Sequence, residues 1–147
     1  MAPPLQVEAE GTAKANPDAV WALLEDANRY PSWGPWDAGG YERPGDDSPH
    51  GVGAVRWFRL GRTTTVERIL AVEPGRRQAY SVVRGIPVRN YRAEVILTPT
   101  ADGTHVRWAA TWDATLLGRI VRRKLREIYP DIVARLIAAA ETSVRTP

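Results

Sequence analysis

The chain has 147 residues and a mass of 16.3 kDa, which is the size of one domain. Its content of 44% hydrophobic and 25% charged residues is typical of a globular fold and excludes a disordered chain. It has no cysteine and two histidines, His50 and His105, which excludes disulfides, thiolate chemistry and a multi-histidine metal site. We therefore expect one domain over residues 1–147, with no metal and no cofactor.

Charge and hydropathy limit the kinds of partner that the protein can have. The net charge of +3 is too weakly basic to indicate nucleic-acid binding. No apolar run approaches the roughly 18 residues of a membrane span, and the first residues lack the features of a secretory signal. We expect a cytoplasmic protein that is not integral to a membrane. Six Trp and five Tyr against one Phe favour an apolar surface that also forms hydrogen bonds.

The first third of the chain predicts short elements. Residues 5–15 alternate apolar with polar side chains, which is typical of a strand. Residues 16–18, Asn-Pro-Asp, supply a helix cap, a proline at the first helical position and an acidic first turn, so a helix is expected to about Ala27. A second short helix or turn is expected near Tyr30–Trp33, and a short strand near Tyr41.

The rest of the chain predicts an antiparallel meander followed by a helix. Five strand-like runs with turn signals between them cover 52–60, 63–73, 76–84, 89–98 and 104–113. Helical spacing of apolar residues over 116–143 predicts one long amphipathic helix, kinked at Pro130. The expected fold is α+β: a curved antiparallel sheet of six to seven strands around a long C-terminal helix, with two short N-terminal helices.

Alternation along the strands predicts which side chains face the long helix. The apolar faces of the last two strands coincide when Leu97 pairs with Val106. The same register, carried back through the earlier turns, pairs Arg56 with Glu67 on the inward face, although one β-bulge would reverse it. The expected cavity is lined by Ile120 of the helix and by Phe58, Tyr80, Val82, Arg84, Tyr91, Val95, Trp108 and Trp112 of the sheet.

Arg56 and Glu67 are the strongest candidates for a catalytic or ligand-binding role. Buried charges are costly unless they are paired or hydrated, so their presence on an aromatic face favours a partly hydrated cavity. In a functional interpretation Glu67 is a base or ligand acceptor, Arg56 holds an enolate or carboxylate, and Tyr91 moves a proton. In the alternative, the two residues form only a structural ion pair.

Other polar and aromatic features allow two interpretations each. Arg84 and Arg89 flank the apolar loop 85–88 and either clamp an acidic ligand or are solvated rim charges. Trp33 and Trp36 either cap the cavity or pack against the sheet edge. A basic stripe on the long helix either contacts anionic lipid headgroups or is an ordinary solvated face; it consists of Arg119, Arg122, Arg123 and Arg126.

Four segments together resemble a known family in their order and spacing. They are residues 16–26 (NPDAVWALLED), 30–33 (YPSW), 66–77 (VERILAVEPGRR) and 103–108 (GTHVRW). The chain resembles the START-like (SRPBCC) superfamily, and within it the polyketide cyclase/dehydrase branch. The resemblance implies a helix-grip fold that encloses a hydrophobic cavity for polyketide, lipid, sterol or hormone-like ligands. It implies no shared catalytic signature, so no catalytic residue is carried over.

Two hypotheses for the function follow. In the first, the protein binds a hydrophobic or polyketide-like small molecule and catalyses ring closure or dehydration, with acceleration from confining a flexible chain. In the second, it carries or senses a lipid-like small molecule without chemistry. Neither hypothesis fixes the oligomeric state or the identity of the ligand.

Overall fold

One antiparallel sheet and one long helix dominate the structure, a computed structural model that describes residues 2–145. The strands are β1 (Leu5–Ala13), β2 (Ala38–Arg43), β3 (Val55–Leu60), β4 (Thr63–Glu73), β5 (Arg77–Arg84), β6 (Arg92–Pro99) and β7 (Thr104–Trp112). The helices are α1 (Pro17–Leu24), α2 (Tyr30–Trp33) and α3 (Leu116–Arg145), with a 3-10 turn at Ala27–Arg29. The sheet order is β1-β7-β6-β5-β4-β3-β2, and all neighbours are antiparallel. This confirms the expected α+β helix-grip architecture.

Local capping explains the N-terminal helices. The Asn16 side chain accepts a hydrogen bond of 2.9 Å from the Ala19 amide, and Pro17 occupies the first helical position. The helix ends at Leu24, three residues earlier than predicted, because Asp26 caps a separate 3-10 turn. The Asp26 carboxylate accepts from the Asn28 amide at 2.9 Å.

Two strands start later than predicted, each after a residue in the left-handed backbone region. β3 follows Gly53, whose φ is +89°, a value that glycine adopts without steric cost. β6 follows Asn90, whose φ is 57°. Asparagine tolerates this region, and here its amide also donates a 2.8 Å hydrogen bond to Asp113. The backbone turn therefore precedes each strand rather than belonging to it.

The predicted register is confirmed along the centre of the sheet. Arg56 pairs with Glu67, which pairs in turn with Val82 on the next strand. Leu97 pairs with Val106, as the coincidence of the two apolar faces required. Since paired residues of an antiparallel ladder share a face, Arg56 and Glu67 project to the same side of the sheet.

The register of β4 and β5 depends on a bulge that the sequence did not reveal. The turn after β4 is one residue longer than predicted, because Glu73 pairs with Arg77. A register shift between Ile69 and Ala71 takes up the extra residue, so Ile69 still pairs with Tyr80 as expected. The long turn and the bulge cancel each other.

A second bulge corrects the prediction for Arg84. The register shifts again between Val66 and Glu67, so Arg84 pairs with Val66 instead of continuing the inward series. Val66 and Glu67 point to opposite faces, and Arg84 therefore lies on the face away from the cavity. It is exposed and forms an ion pair with Glu42.

The long helix begins at a side-chain cap and continues without interruption. The Thr115 hydroxyl accepts a 2.9 Å hydrogen bond from the Gly118 amide just before the first turn. The helix runs through Pro130, which is exposed, and the kink at that position stays a prediction. Its backbone approaches the sheet closely at β1 and β7. Gly11 of β1 permits this, since a Cβ there would lie 2.7 Å from the Ile137 side chain.

The apolar face of α3 is buried along the second half of the helix and exposed at its start. The buried members of the face are Leu125, Tyr129, Ile132, Val133, Leu136 and Ala140. Leu116, Leu117 and Ile120 are exposed, so the expectation that Ile120 lines the cavity is wrong. Helical periodicity identifies the apolar face but not how far along the helix the sheet covers it.

Over residues 2–145, no three side chains of His, Cys, Asp and Glu come together in a group able to hold a metal ion. No helix in the same range combines the length and apolar character needed to cross a bilayer.

Candidate ligand cavity

A cavity of about 650 Å³ lies between α3 and the concave face of the sheet. Its volume is in the range of about 300–1,000 Å³ typical of small-molecule sites. Its deep walls are aromatic and include Tyr30, Trp36, Phe58, Tyr80, Tyr91, Trp108 and Tyr129. Its remaining lining residues are Arg56, Leu60, Gly61, Thr63, Thr65, Glu67, Gly85, Ile86, Pro87, Val121, Lys124, Leu125, Ile128 and Ile132.

The structure places part of the predicted cavity set around this space. Six sequence candidates line it: Arg56, Phe58, Glu67, Tyr80, Tyr91 and Trp108. The others lie elsewhere: Val95 and Trp112 are buried in the core, Val82 packs against the core, and Arg84 and Ile120 are exposed. The alternation rule selected the correct face of the sheet, but it did not separate residues that line the space from those that support it.

Trp112 supports the cavity wall from behind. Its ring stacks on that of Tyr91 with the centroids 5.6 Å apart. Its indole nitrogen donates a 3.0 Å hydrogen bond to the Gly118 carbonyl in the first turn of α3. Gly118 has little room to change, because a Cβ there would lie 2.6 Å from the Asp113 carbonyl oxygen. Trp112 thus joins the end of the sheet to the start of the helix.

Arg56 and Glu67 form the charged centre of the cavity. The Arg56 Nε donates a 2.9 Å hydrogen bond to Glu67 Oε1, and both residues are buried. Arg56 Nη1 donates to the Tyr30 hydroxyl at 3.1 Å and to Gln78 Oε1 at 3.3 Å. Tyr30 in turn donates to the Leu24 carbonyl at 2.9 Å. The network fixes the guanidinium against the sheet and against the N-terminal helices.

Three aromatic rings surround the guanidinium. The Arg56 Cζ lies 5.2 Å from the ring centroid of Tyr30, 5.1 Å from that of Phe58 and 4.8 Å from that of Tyr80. The negative faces of aromatic rings stabilise a cation at such distances, and more so where water is excluded. This arrangement accounts for a buried charge on an otherwise apolar face.

The Nη2 nitrogen of Arg56 takes part in the ion pair but forms no hydrogen bond. It lies 2.9 Å from Glu67 Oε1. Within residues 2–145, neither Arg56 Nη2 nor the amide nitrogen of Gln78 has a hydrogen-bond acceptor. A buried donor that stays unpaired costs about 1–3 kcal/mol. Because Arg56 lines the cavity, a bound molecule can supply the missing acceptor.

Burial and ion pairing shift the pKa values of Glu67 and Arg56 in opposite directions. Burial raises the pKa of Glu67 above its ordinary 4.5, while Arg56 lowers it by charge and by hydrogen bonding. Burial alone would lower the pKa of Arg56, but Tyr30, Glu67 and Tyr80 raise it, so the guanidinium stays charged. The carboxyl group therefore titrates closer to neutrality than an exposed glutamate does.

A cluster of three tyrosines lines the cavity beside Arg56. The hydroxyls of Tyr91 and Tyr129 share a hydrogen bond, Tyr129 also interacts with Tyr80, and the Trp108 indole donates to the Tyr80 hydroxyl at 3.0 Å. Burial raises the pKa of all three phenols, so they are protonated at neutral pH. The wall therefore presents neutral hydroxyl groups on aromatic rings.

Several cavity residues were not predicted from the sequence. Tyr129 lies on the apolar face of α3. The only sequence feature that could have indicated a cavity role is its phenol group among aliphatic neighbours. Tyr30 was placed only in a short helix, without a role. Trp36 lines the cavity, whereas Trp33 is buried and donates a 3.1 Å hydrogen bond to the Leu23 carbonyl. Trp36 therefore lies in the cavity wall, and Trp33 packs in the core.

The mouth of the cavity is mostly apolar with few charges. It is formed by the β3–β4 hairpin around Gly61, the loop 85–87, and Lys124 on α3. Arg89, like Arg84, is exposed and does not line the cavity. Their positions agree with the interpretation of both arginines as solvated charges, not with a clamp for an acidic ligand. A hydrophobic molecule would therefore enter between the helix and the hairpin tips.

Solved structures with the same fold come from several bacteria. A solution structure from Thermobifida fusca is 23% identical with a TM-score of 0.77, covering 93% of each chain. A protein from Nitrosospira multiformis is 21% identical with a TM-score of 0.77, covering 96% of this chain and 99% of that one. The protein XoxI from Bacillus cereus is 19% identical with a TM-score of 0.75, covering 97% and 99%. These similarities establish the fold.

A match over nearly the whole sequence assigns the chain to a family. No curated protein matches the chain significantly. A family model described as polyketide cyclase / dehydrase and lipid transport matches residues 4–141, which include every strand and nearly all of α3. The chain therefore belongs to the polyketide cyclase / dehydrase and lipid transport family.

Proposed function

We propose that the protein binds a hydrophobic, polyketide-like small molecule in the cavity, with an oxygen atom of that molecule held by Arg56. The observation that carries the proposal is a space of about 650 Å³ with aromatic walls and a buried guanidinium whose Nη2 forms no hydrogen bond. The family description, which names polyketide cyclases and lipid transport, supports a ligand of this class.

The charges of the cavity indicate the kind of oxygen. Arg56 and Glu67 together are neutral when both are ionised, so Arg56 has no unbalanced positive charge to offset a full negative charge on a ligand. A carbonyl or hydroxyl oxygen can accept from Arg56 Nη2 without adding such a charge. The aromatic residues that line the cavity, such as Tyr80 and Trp108, favour a conjugated or ring-containing molecule.

A fluorescence titration tests the binding. The probe is prodan, a naphthalene dye with one ketone, compared with N-phenylnaphthylamine, which has no carbonyl group. We expect saturable one-to-one binding of prodan with emission shifted by burial. Ile128→Trp, which places a larger side chain in the cavity, should weaken prodan binding, while Val144→Trp on the exposed end of the same helix should leave it unchanged. Prodan binding that is as tight in Ile128→Trp as in the wild type, or no binding of either dye, contradicts the proposal.

The two dyes also test the role of Arg56. Arg56→Lys keeps the positive charge but changes the position and number of donors. We expect this variant to weaken the binding of prodan more than that of N-phenylnaphthylamine, because only prodan has a carbonyl oxygen that Arg56 can contact. An equal effect on both dyes would show that Arg56 shapes the cavity without contacting the ligand oxygen.

A second candidate function is catalysis of ring closure or dehydration. The observation that favours it is Glu67, a carboxyl group that lines the cavity and whose pKa burial raises. A group of this kind can take a proton from an acidic carbon and return it to a leaving hydroxyl. Arg56 would stabilise the enolate oxygen, and the walls would confine a flexible chain in a folded conformer.

Incubation with a short reactive polyketone thioester, followed by mass spectrometry, separates catalysis from carriage. Conversion to a cyclised or dehydrated product that is lost in Glu67→Gln supports catalysis. A compound that binds and is returned unaltered supports a carrier or sensor. Conversion that is equal in the wild type and in Glu67→Gln rules out the role given to Glu67.

A further inference from the structure

The first three turns of α3 form an exposed surface, here called the basic-apolar patch, that the cavity does not use. Its apolar members are Leu116, Leu117 and Ile120, which are 78%, 53% and 57% exposed. Large aliphatic side chains exposed to this degree side by side are unusual on a surface that meets only water. Its cationic members, on the same turns, are Arg119, Arg122, Arg123, Lys124 and Arg126.

The charges of the patch are unfavourable for the isolated protein. Residues 116–126 carry five cations and no anion, and α3 has no acidic residue in its first turn. The N-terminal end of a helix is itself partly positive and favours acidic side chains, so Arg119 is unfavourably placed next to it, and the five cations repel one another. Within the part of the chain that the structure describes, none of the five forms an ion pair.

The patch adjoins the mouth of the cavity. Leu117 lies one helical turn before Val121, and Ile120 one turn before Lys124, so each pair shares a side of the helix. Val121 and Lys124 both line the cavity. Exposed aliphatic groups therefore continue from the mouth along α3, with cations beside them.

We propose that the basic-apolar patch docks on the surface of an anionic lipid bilayer. The guanidinium groups would contact lipid phosphates, and the three aliphatic side chains would enter the boundary between headgroups and acyl chains. A second copy of this chain fits poorly, because two such patches would bring ten cations together. Given the ligand proposed above, docking would place the mouth of the cavity where a hydrophobic molecule partitions.

Vesicle flotation tests the docking. The vesicles contain phosphatidylcholine with phosphatidylglycerol, or phosphatidylcholine alone. We expect binding to the anionic vesicles that weakens with salt, and little binding to the neutral ones. Arg119→Gln/Arg123→Gln lowers the affinity on the order of tenfold or more, and so does Leu116→Ser/Leu117→Ser. The matched control Arg68→Gln/Arg92→Gln, at exposed positions on the sheet, has a smaller effect.

Several outcomes would overturn the proposal. They are no vesicle binding, equal binding to neutral and anionic vesicles, and an equal loss in the sheet control. Sedimentation that shows a dimer lost in Leu116→Ser/Leu117→Ser would assign the patch to a second copy. An acidic protein that binds the patch while vesicles do not would assign it to that partner.

Prodan binding without vesicles keeps this proposal separate from the proposed function. The substituted patch residues do not line the cavity. The patch variants should therefore bind prodan as the wild type does. If prodan fails to bind but docking on anionic vesicles persists, the ligand proposal fails and the docking proposal stands.

Discussion

Arg56 and Glu67 lie opposite each other on β3 and β4, with Arg56 Nε 2.9 Å from Glu67 Oε1 and both side chains buried. The pair is enclosed by the rings of Tyr30 and Phe58 and braced by Gln78. Burial disfavours both charges, and the opposite charge of the partner offsets part of that penalty for each residue.

Removal of one partner of this pair is expected to destabilise the fold. Arg56→Met leaves Glu67 buried without its counter-charge, and we expect a loss of about 3–5 kcal/mol in the free energy of unfolding. Urea denaturation measures it. Arg56→Met/Glu67→Leu removes both charges and should recover much of the loss. A single variant within about 1 kcal/mol of the wild type would show that the pair is effectively solvated.

The raised pKa of Glu67 predicts a specific pH dependence of stability. The folded protein holds this proton more tightly than the unfolded chain, whose carboxyl group has the ordinary pKa of 4.5. The contribution to stability is therefore present below 4.5 and is lost as the pH rises through the folded-state pKa. Urea denaturation of the wild type and Glu67→Gln across this window should show the wild type losing stability relative to the variant as the pH rises. The opposite slope would contradict the raised pKa.

All five tyrosines are expected to resist alkaline ionisation while the protein is folded. Burial raises the pKa of Tyr30 to about 12, and it raises the pKa values of Tyr41, Tyr80, Tyr91 and Tyr129 above 10.0. Ultraviolet absorbance of phenolate should stay low near pH 10 in buffer and reach half of its full value in concentrated urea. Since each folded pKa is raised, stability falls as the pH rises above 10.0. Two or more tyrosines titrating at 10 in buffer would show an open cavity.

The hydrogen bond between Tyr91 and Tyr129 predicts non-additive substitutions. Tyr91→Phe leaves the Tyr129 hydroxyl without this partner, and Tyr129→Phe does the reverse, so each should cost about 1 kcal/mol. The double variant loses the same bond only once and should cost less than the sum. Thermal or urea unfolding of the four proteins provides the cycle. Strict additivity would mean that the two hydroxyls do not interact.

Gly34 is predicted to hold Trp36 in the cavity wall. A Cβ at this position would lie 2.2 Å from the Trp36 ring, so the ring has to move. We expect Gly34→Ala to cost about 1–3 kcal/mol and to weaken prodan binding. The control is Gly51→Ala, where the nearest atom would be 3.4 Å away. If Gly34→Ala binds prodan like the wild type, Trp36 is not a fixed part of the wall.

Side-chain alternation and turn signals were sufficient for most of the fold. They gave the strand order of the meander, the pairing of Arg56 with Glu67 and the pairing of Leu97 with Val106. These features are local, since a period of two and a short turn fix which residues lie opposite each other. The same rules placed Tyr80 opposite Ile69 only because an undetected bulge offset an undetected longer turn.

The sequence by itself determined the sheet, the helix and the charged pair, because capping, periodicity and strand pairing act over a few residues. The tertiary structure alone decided that Arg84 points outward, that Tyr129 reaches Tyr91, and that Leu116 and its neighbours are exposed. These features depend on a bulge and on where α3 crosses the sheet. Both follow from the packing of segments that are distant in the sequence, and no local sequence pattern predicts that packing.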